Sequence, residues 1–262
     1  MTEDHNIKKS IINIEVPDSI DNAFKNLTDK PAATLGEIIS DCFFLVFGRI
    51  NQKAELKRVK YAIELEEFKK ELETKINDIP EEKRVDANTH TICTALDNMK
   101  YCVEEKELRD MFSSLIANSI NSDKESLVHP SYGEVIKQMA SLDAMLFKEL
   151  NSQDINPIIR IIKKTEDNGK LNLSKCLILP CLGTIDAVAA SLDNLSRLKL
   201  IDVVFESYYK DERIYESMKT QQHIHAEIQK CKSMIEANSK IDYKKGYISI
   251  TEYGENFYNA CN

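Results

Sequence analysis

Apolar residues are densest in one segment near the amino end of the chain, Leu35–Ile50 (LGEIISDCFFLVFGRI). Thr34 precedes this segment as a candidate N-cap and Glu37 completes a capping box, so the pattern predicts a helix that begins here. The apolar positions follow helical spacing and widen until Cys42–Phe47 is apolar on nearly every side. A membrane span needs about 20 mainly apolar residues, and this segment offers about 16, with Asp41 among them. A spanning helix is therefore disfavoured, which leaves a buried core helix, a helix–helix interface or a peripheral membrane anchor.

The helical pattern continues as a strongly amphipathic stretch that ends before Pro80. Its apolar positions step by three and four residues and form a single seam of Leu65, Phe68, Leu72, Ile76 and Ile79. The other faces are charged, and Glu66–Lys70 and Glu71–Lys75 have the acid-first i to i+4 order that supports an exposed helix face. A continuous helix from Thr34 to Asp78 would be about 65 Å long.

Three further helices are predicted in the middle of the chain, at 86–102, 104–121 and Tyr132–Leu150, because each carries an apolar stripe at helical spacing. Ser131 is the candidate N-cap of the third helix, and Glu134 would complete its capping box. In this interpretation His129 is a structural residue near the start of that helix.

After Asn151 the chain contains short β-branched runs bounded by Asn, Gly and Pro, which predict strands at Ile155–Lys164 and Leu173–Pro180. The later predicted elements are a helix at Thr184–Lys199, a strand at Leu200–Tyr209, a helix at Asp211–Asn238, a strand at Gly246–Thr251 and a helix at Glu252–Cys261. Helix, helix, strand, long connection, strand is the order of a winged-helix unit. Thr184–Lys199 would hold the recognition-helix position, and the wing would contain a helical insertion.

Taken together, these elements predict a mostly α fold with a long N-terminal amphipathic helix, a central helical bundle and a C-terminal winged-helix-like α+β unit. The expected organisation is a flexible N-terminal arm at 1–32, the long helix and bundle at 33–128, and the winged-helix-like unit with its helical insertion at 129–262.

Composition narrows the class of protein. The formal net charge of -8 argues against a general nucleic-acid binder, because such proteins neutralise phosphates with a basic face. The predicted recognition helix supports this, since its charged residues Asp186, Asp193, Arg197 and Lys199 sum to zero charge. The seven cysteines are scattered, and the polar start MTEDHNIKKS does not resemble a signal peptide, so we expect reduced thiols and a cytoplasmic protein.

Candidate chemical groups are few. His223 and His225 lie two positions apart, which places them on different sides of a helix and disfavours a shared metal ion with Cys231. Cys176 and Cys181 lack zinc-ribbon spacing and are interpreted as buried small hydrophobic residues. His129 beside Ser131 lacks a nucleophile elbow or a third catalytic partner. The sequence therefore indicates no catalytic residue, no metal and no cofactor.

Three stretches together resemble a known family. They are AELKRVKYAIELEEFKKELETKINDIPEEKRV, then ELRDMFSSLIANSIN followed by HPSYGEVIKQMASLDAMLFKEL, and finally SLDNLSRLKLIDV closed by ISITEYGENFYNAC. Their order and content are similar to the Abi-alpha (abortive infection alpha) family over roughly residues 33 to 262, and the segment that begins His129-Pro130-Ser131 is the most specific part. The family is associated with bacterial systems that abort phage infection, and it brings no established catalytic residues.

The resemblance implies a non-enzymatic component of an anti-phage defence system that acts through protein–protein or peripheral membrane contact. The alternatives are a winged-helix DNA-binding regulator and an enzyme with an unrecognised site. We expect a homo-oligomer, with a partner protein of the defence system or the inner face of the cell membrane as further candidate contacts; nucleic acid is the less favoured partner. The predicted interaction or membrane surface consists of Ile39, Phe43, Phe44, Phe47, Arg49, Lys53, Lys57 and Arg58.

Overall fold

Helices dominate the computed structural model, which describes residues 55–85, 89–164, 169–236 and 239–262. Within these residues the protein is 55% helical, with nine α-helices and a curled antiparallel sheet. The predicted arm at 1–32 and the apolar segment Leu35–Ile50 lie outside the described residues, as does the amino-terminal part of the helix predicted from Thr34.

The first four helices are α1 (Glu55–Asn77), α2 (Thr89–Met99), α3 (Lys106–Asn118) and α4 (Tyr132–Lys137). The predicted seam of α1 is confirmed, since Phe68, Leu72 and Ile76 are completely buried. α1 packs against α3, and α2 packs against both α3 and α4. Two helices at 86–102 and 104–121 are thus confirmed with shorter bounds.

The prediction of a single helix at Tyr132–Leu150 is wrong, because the segment forms α4 and a separate helix α5 (Ser141–Ser152). Ala140 is extended (φ -96°, ψ 163°), which interrupts the helix. The Asp143 carboxylate accepts a hydrogen bond from the Ala140 N–H at 2.8 Å and stabilises this break. Most apolar residues of the segment are buried on both sides of the break, although Met145 is exposed.

The prediction of a capping box at the start of α4 is also wrong. Ser131 has helical backbone angles (φ -71°, ψ -14°) and its hydroxyl caps no N–H group. That hydroxyl instead lies 2.7 Å from the Tyr253 hydroxyl. Glu134 accepts a hydrogen bond from the Asn98 side chain at 2.8 Å, so both predicted capping groups join this helix to other elements.

The sheet begins with β1 (Asn156–Lys164), which confirms the first predicted strand. The remaining strands are β2 (Lys170–Asn172), β3 (Leu177–Ile178), β4 (Ile201–Val204) and β5 (Ile241–Ile250). The order is β2-β1-β5-β4, with β3 also paired to β1, and every pairing is antiparallel. The strand predicted at Leu173–Pro180 is thus reduced to β3, and β5 begins five residues before its predicted start at Gly246.

The last helices are α6 (Ile185–Arg197), α7 (Glu212–Thr220), α8 (Gln222–Ser233) and α9 (Glu252–Cys261). The helix predicted at Asp211–Asn238 is wrong as one piece, because Gln221 is extended (φ -64°, ψ 134°) and separates α7 from α8. The strand predicted at Leu200–Tyr209 ends at Val204. As predicted, helices intervene between the two final strands.

Two hydrophobic cores lie on opposite faces of the sheet. The larger one joins the bundle to α5, α6 and α9 and includes Ile158 of β1. The smaller one contains Ile159 and Ile161 of β1 together with buried residues of α7 and α8. Because β1 is buried on both faces, it contributes side chains to both hydrophobic cores. A domain boundary at residue 129 stays a prediction.

Candidate functional site

Most of the predicted interaction or membrane surface lies outside the residues that the structure describes. Ile39, Phe43, Phe44, Phe47, Arg49 and Lys53 lie outside the described residues. Lys57 and Arg58 lie in the first turns of α1, where only the backbone is described. Among the described helices, none combines the length and apolarity needed to cross a membrane. This surface therefore stays a prediction.

His129 and Ser131 form a polar link between two parts of the fold. The imidazole Nδ1 lies 2.7 Å from the Ser131 hydroxyl and accepts from the Ser131 backbone N–H at 3.1 Å. The serine hydroxyl also meets Tyr253 of α9. Within the described ranges no carboxylate contacts this histidine, and the arrangement ties the start of α4 to α9.

His223 and His225 have different partners. His223 Nε2 lies 3.0 Å from the carbonyl oxygen of Ile178, on the β3 strand. His225 Nε2 lies 3.2 Å from the Gln229 side-chain nitrogen one turn along α8. The part of the chain that the structure describes contains no group of three or more His, Cys, Asp or Glu residues suited to a metal ion.

The two cysteines on either side of β3 differ. Cys176 is buried as predicted, whereas Cys181 is exposed, so its predicted burial is wrong. Leu179, Pro180 and Leu182 around it form a loop at the surface, and local hydropathy does not distinguish such a loop from a buried strand.

A concave site that is open to solvent lies between β1, α6 and α8, and we call it the charged cavity. It has a volume of about 500 Å³. Its lining residues are Arg160, Asn172, Leu173, Ser174, Lys175, Cys176, Asp186, Ala189, Leu192, Asp193, Val203, Glu227 and Lys230. Sequence reasoning missed this site because no local motif joins these residues, although Arg160 in the apolar run INPIIRIIKK was a signal of it.

Arg160 is positioned by the alternation of β1. It shares one face of the strand with Ile158 and Ile162, which are buried on either side of it. Its guanidinium lies over the Phe205 ring, 4.7 Å from the ring centroid. Among the described residues it makes no ion pair and no hydrogen bond. A half-buried guanidinium with five donors is thus directed at the cavity with a ring as its neighbour.

The opposite wall is acidic. α6 begins after its N-cap Thr184, whose hydroxyl accepts from the Ala187 N–H at 3.2 Å. Asp186 and Asp193 then lie two turns apart on the exposed side of this helix and line the cavity. Glu227 on α8 pairs with Lys230 at 3.1 Å.

Cys176 forms part of the cavity wall but is not a reactive group there. Burial raises the pKa of its thiol to about 12, and the nearby Arg160 offsets only part of that rise. At neutral pH the sulfur is therefore a protonated thiol, which is a poor nucleophile.

The similarity of the chain to known families follows this geometry. A family model described as "Abortive infection alpha" matches residues 60–261, well over half of the chain. The chain belongs to the abortive infection alpha family. The searches of curated proteins and of solved structures found no match.

The matched range shows which elements of this abortive infection alpha protein the family model covers. It extends from within α1 to the end of α9, so every residue that lines the charged cavity falls inside it. The predicted surface from Ile39 to Arg58 lies before its first matched residue. The charged cavity is therefore the candidate site that lies within the family-matched region.

Proposed function

We propose that this protein is a non-enzymatic component of a bacterial abortive-infection system, acting by contact with a partner protein or with the membrane surface. The observation that carries the proposal is the family match over residues 60–261. Cells that carry the gene should give fewer plaques than cells that lack it on at least some members of a broad phage panel. Equal plaque counts on every phage would contradict a defence role.

The mode of contact is part of the same proposal. We assign the contact to a surface in which an apolar segment is followed by basic residues, since this order suits an interface with a partner or with anionic lipid. Its residues are Ile39, Phe43, Phe44, Phe47, Arg49, Lys53, Lys57 and Arg58. The wild-type protein should float with vesicles rich in anionic lipid, and Phe43→Asp or Phe44→Asp should abolish flotation. Tyr208→Asp is a matched control, since Tyr208 is an exposed aromatic residue elsewhere.

These measurements separate the two contact modes. The wild-type protein could fail to float and yet have a solution mass above that of one chain. If Phe43→Asp then lowers this mass, the contact lies between protein subunits. A protein that neither floats nor self-associates, and retains no partner through this surface, contradicts the contact proposal altogether.

The carboxyl-terminal half supports a winged-helix-like scaffold. The order β1-β5-β4, with α6 directly before β4, agrees with that label, and α7 and α8 take the place of a short wing tip. The charges at the recognition position do not favour DNA. The guanidinium of Arg197 is hydrogen-bonded to Gln138 and Asn194, and Asp186 and Asp193 would face the phosphates.

A DNA-binding regulator is therefore the second candidate, and a mobility-shift assay decides it. At about 50 mM salt, where phosphate contacts are strongest, we expect no shift of duplex DNA. A salt-sensitive shift that Arg197→Gln or Lys199→Gln weakens would favour the regulator instead.

A further inference from the structure

The two faces of the charged cavity carry opposite charges that do not meet. Arg160 and Lys175 line one side, and Asp186 and Asp193 line the other. Among the described residues none of these four side chains forms an ion pair, whereas Glu227 and Lys230, which also line the cavity, pair with each other at 3.1 Å. The gap between the walls is the 500 Å³ cavity, within the range of about 300–1,000 Å³ typical of small-molecule sites.

A further cation lies beside Arg160, although it does not line the cavity. Lys244 of β5 is the direct cross-strand partner of Arg160, and its ammonium lies over the same Phe205 ring, 4.9 Å from the centroid. Like charges directly opposite each other on neighbouring strands repel. Lys244 also makes no ion pair with any described residue. The sheet thus holds two half-buried cations side by side, and both lie over one phenyl ring.

The backbone enforces this arrangement. A Cβ atom at Gly246 would lie 2.1 Å from the Val204 carbonyl oxygen and 3.0 Å from the Phe205 ring. Glycine at this position therefore lets β4 come close enough to β5 for the ring to lie against both cations. Three adjacent strands thus position Arg160, whereas Lys175 lies on the exposed connection between β2 and β3.

A ligand that fits must offer negative charge to one wall and hydrogen-bond donors to the other. A guanidinium forms bidentate hydrogen bonds with phosphate oxygens, and carboxylates accept from hydroxyl or amino groups. We propose that the charged cavity binds a nucleotide, with its phosphate at Arg160 and Lys175 and with its sugar hydroxyls or base amino group at Asp186 and Asp193. This binding activity is separate from the defence role and does not rest on it.

Titration calorimetry of the full chain tests the inference with nucleoside monophosphates of the four common bases, inorganic phosphate and the unphosphorylated nucleosides. At least one monophosphate should bind, and inorganic phosphate and the matching nucleoside should each bind at least about tenfold more weakly. No binding of any monophosphate at about 1 mM would overturn the proposal. Equal affinity for inorganic phosphate would overturn the nucleotide assignment, because the acidic wall would then contribute nothing.

Variants assign the two walls. Arg160→Gln should weaken monophosphate binding at least about tenfold, whereas Lys163→Gln, on the same strand but outside the cavity, should leave it unchanged. Asp193→Asn should weaken the monophosphate but not inorganic phosphate, with Asp202→Asn on β4 as its control. If Arg160→Gln does not fold, Lys175→Gln on the exposed connection gives the same readout. Unchanged affinity in the folded wall variants would contradict the site.

Discussion

At the scale of single residues, Lys199 occupies an unusual backbone position. Its φ of 61° places it in the left-handed region directly after α6. The Lys199 N–H donates to Ser196 and the Leu200 N–H donates to Leu195, both at 3.0 Å, which is the hydrogen-bond pattern of a Schellman motif. Glycine is the usual residue here, because a side chain in this conformation costs roughly 1 kcal/mol.

Lys199→Gly should therefore stabilise the protein by about 1 kcal/mol and raise the melting temperature by about 2–4 °C. Thermal unfolding followed by circular dichroism measures this change. Lys199→Ala removes the same charge but keeps a Cβ atom, so it should not stabilise. Equal melting temperatures for the two variants would show that the backbone conformation is not strained.

Single residues also show how far the sequence could be interpreted. The hydroxyl of Thr184 caps the N–H of Ala187, a contact that lies within four residues of chain. Ser131 was predicted to make the same kind of local contact, but its hydroxyl instead lies against Tyr253, far along the sequence. The burial of Cys176 and the exposure of Cys181 differ for a similar reason, since the surrounding elements decide them rather than the neighbouring residues.

At the scale of elements, Asp143 holds three segments together. Its carboxylate, 4% exposed, accepts hydrogen bonds from the Ala140 N–H, from Ser191 and from the Asn194 side chain at 2.7 Å. The first bond fixes the break between α4 and α5, and the other two join α5 to α6. One buried carboxylate thus sets both the turn and the helix packing.

Asp143→Ala should lower the free energy of unfolding by about 2–3 kcal/mol, because three donors, one of them the buried Ser191 hydroxyl, lose a charged acceptor. Urea denaturation measures this change. Asp154→Asn, an exposed position just beyond α5, should change stability by less than about 0.5 kcal/mol. A cost for Asp143→Ala as small as that of the control would mean that solvent replaces the carboxylate.

Element boundaries were predicted well where hydrophobic period and local punctuation agree, as in β1, α6 and α9. They were wrong where a break needs no Gly or Pro. Ala140 and Gln221 interrupt helices through their extended backbones, and the apolar stripe continues past both positions. At Ala140 the carboxylate of Asp143 fixes the break, and Ser191 and Asn194 of α6 hold that carboxylate in place. A periodicity argument does not contain such contacts.

At the scale of the whole molecule, burial divides the cysteines into two classes. Cys181 is exposed, whereas Cys102, Cys176, Cys231 and Cys261 are buried. Burial raises the thiol pKa of all four buried residues. Since the thiolate is the reactive form, access and ionisation act in the same direction.

Iodoacetamide at about pH 8 should therefore alkylate Cys181 in the native protein at least about tenfold faster than any of these four buried cysteines. Peptide mapping by mass spectrometry follows each site separately. Full denaturation should bring the rates together, which controls for intrinsic differences between the peptides. Native labelling of Cys176 as fast as Cys181 would show that the cavity wall opens.

The mostly helical fold and the family were predictable from the sequence, whereas the charged cavity was not. Its walls come from Arg160, Asp186 and Lys230, which lie on three elements separated by long stretches of chain. The packing of α6 and α8 around the sheet brings them together. An arrangement of that kind depends on long-range packing, which no single stretch of the sequence encodes.

The helices α7 and α8 lie on the long connection between β4 and β5. The chain leaves the sheet at Val204, whose cross-strand partner is Tyr247, but it re-enters the sheet at Ile241, opposite Lys163 of β1. Residues 241–246 of β5 therefore extend past β4 and pair with β1 alone, and the helical pair covers this part of the sheet by packing on Ile159, Ile161 and Leu177. A shorter connection would have to lose this extension of β5 or leave it uncovered, so the helical pair and the long final strand form one unit.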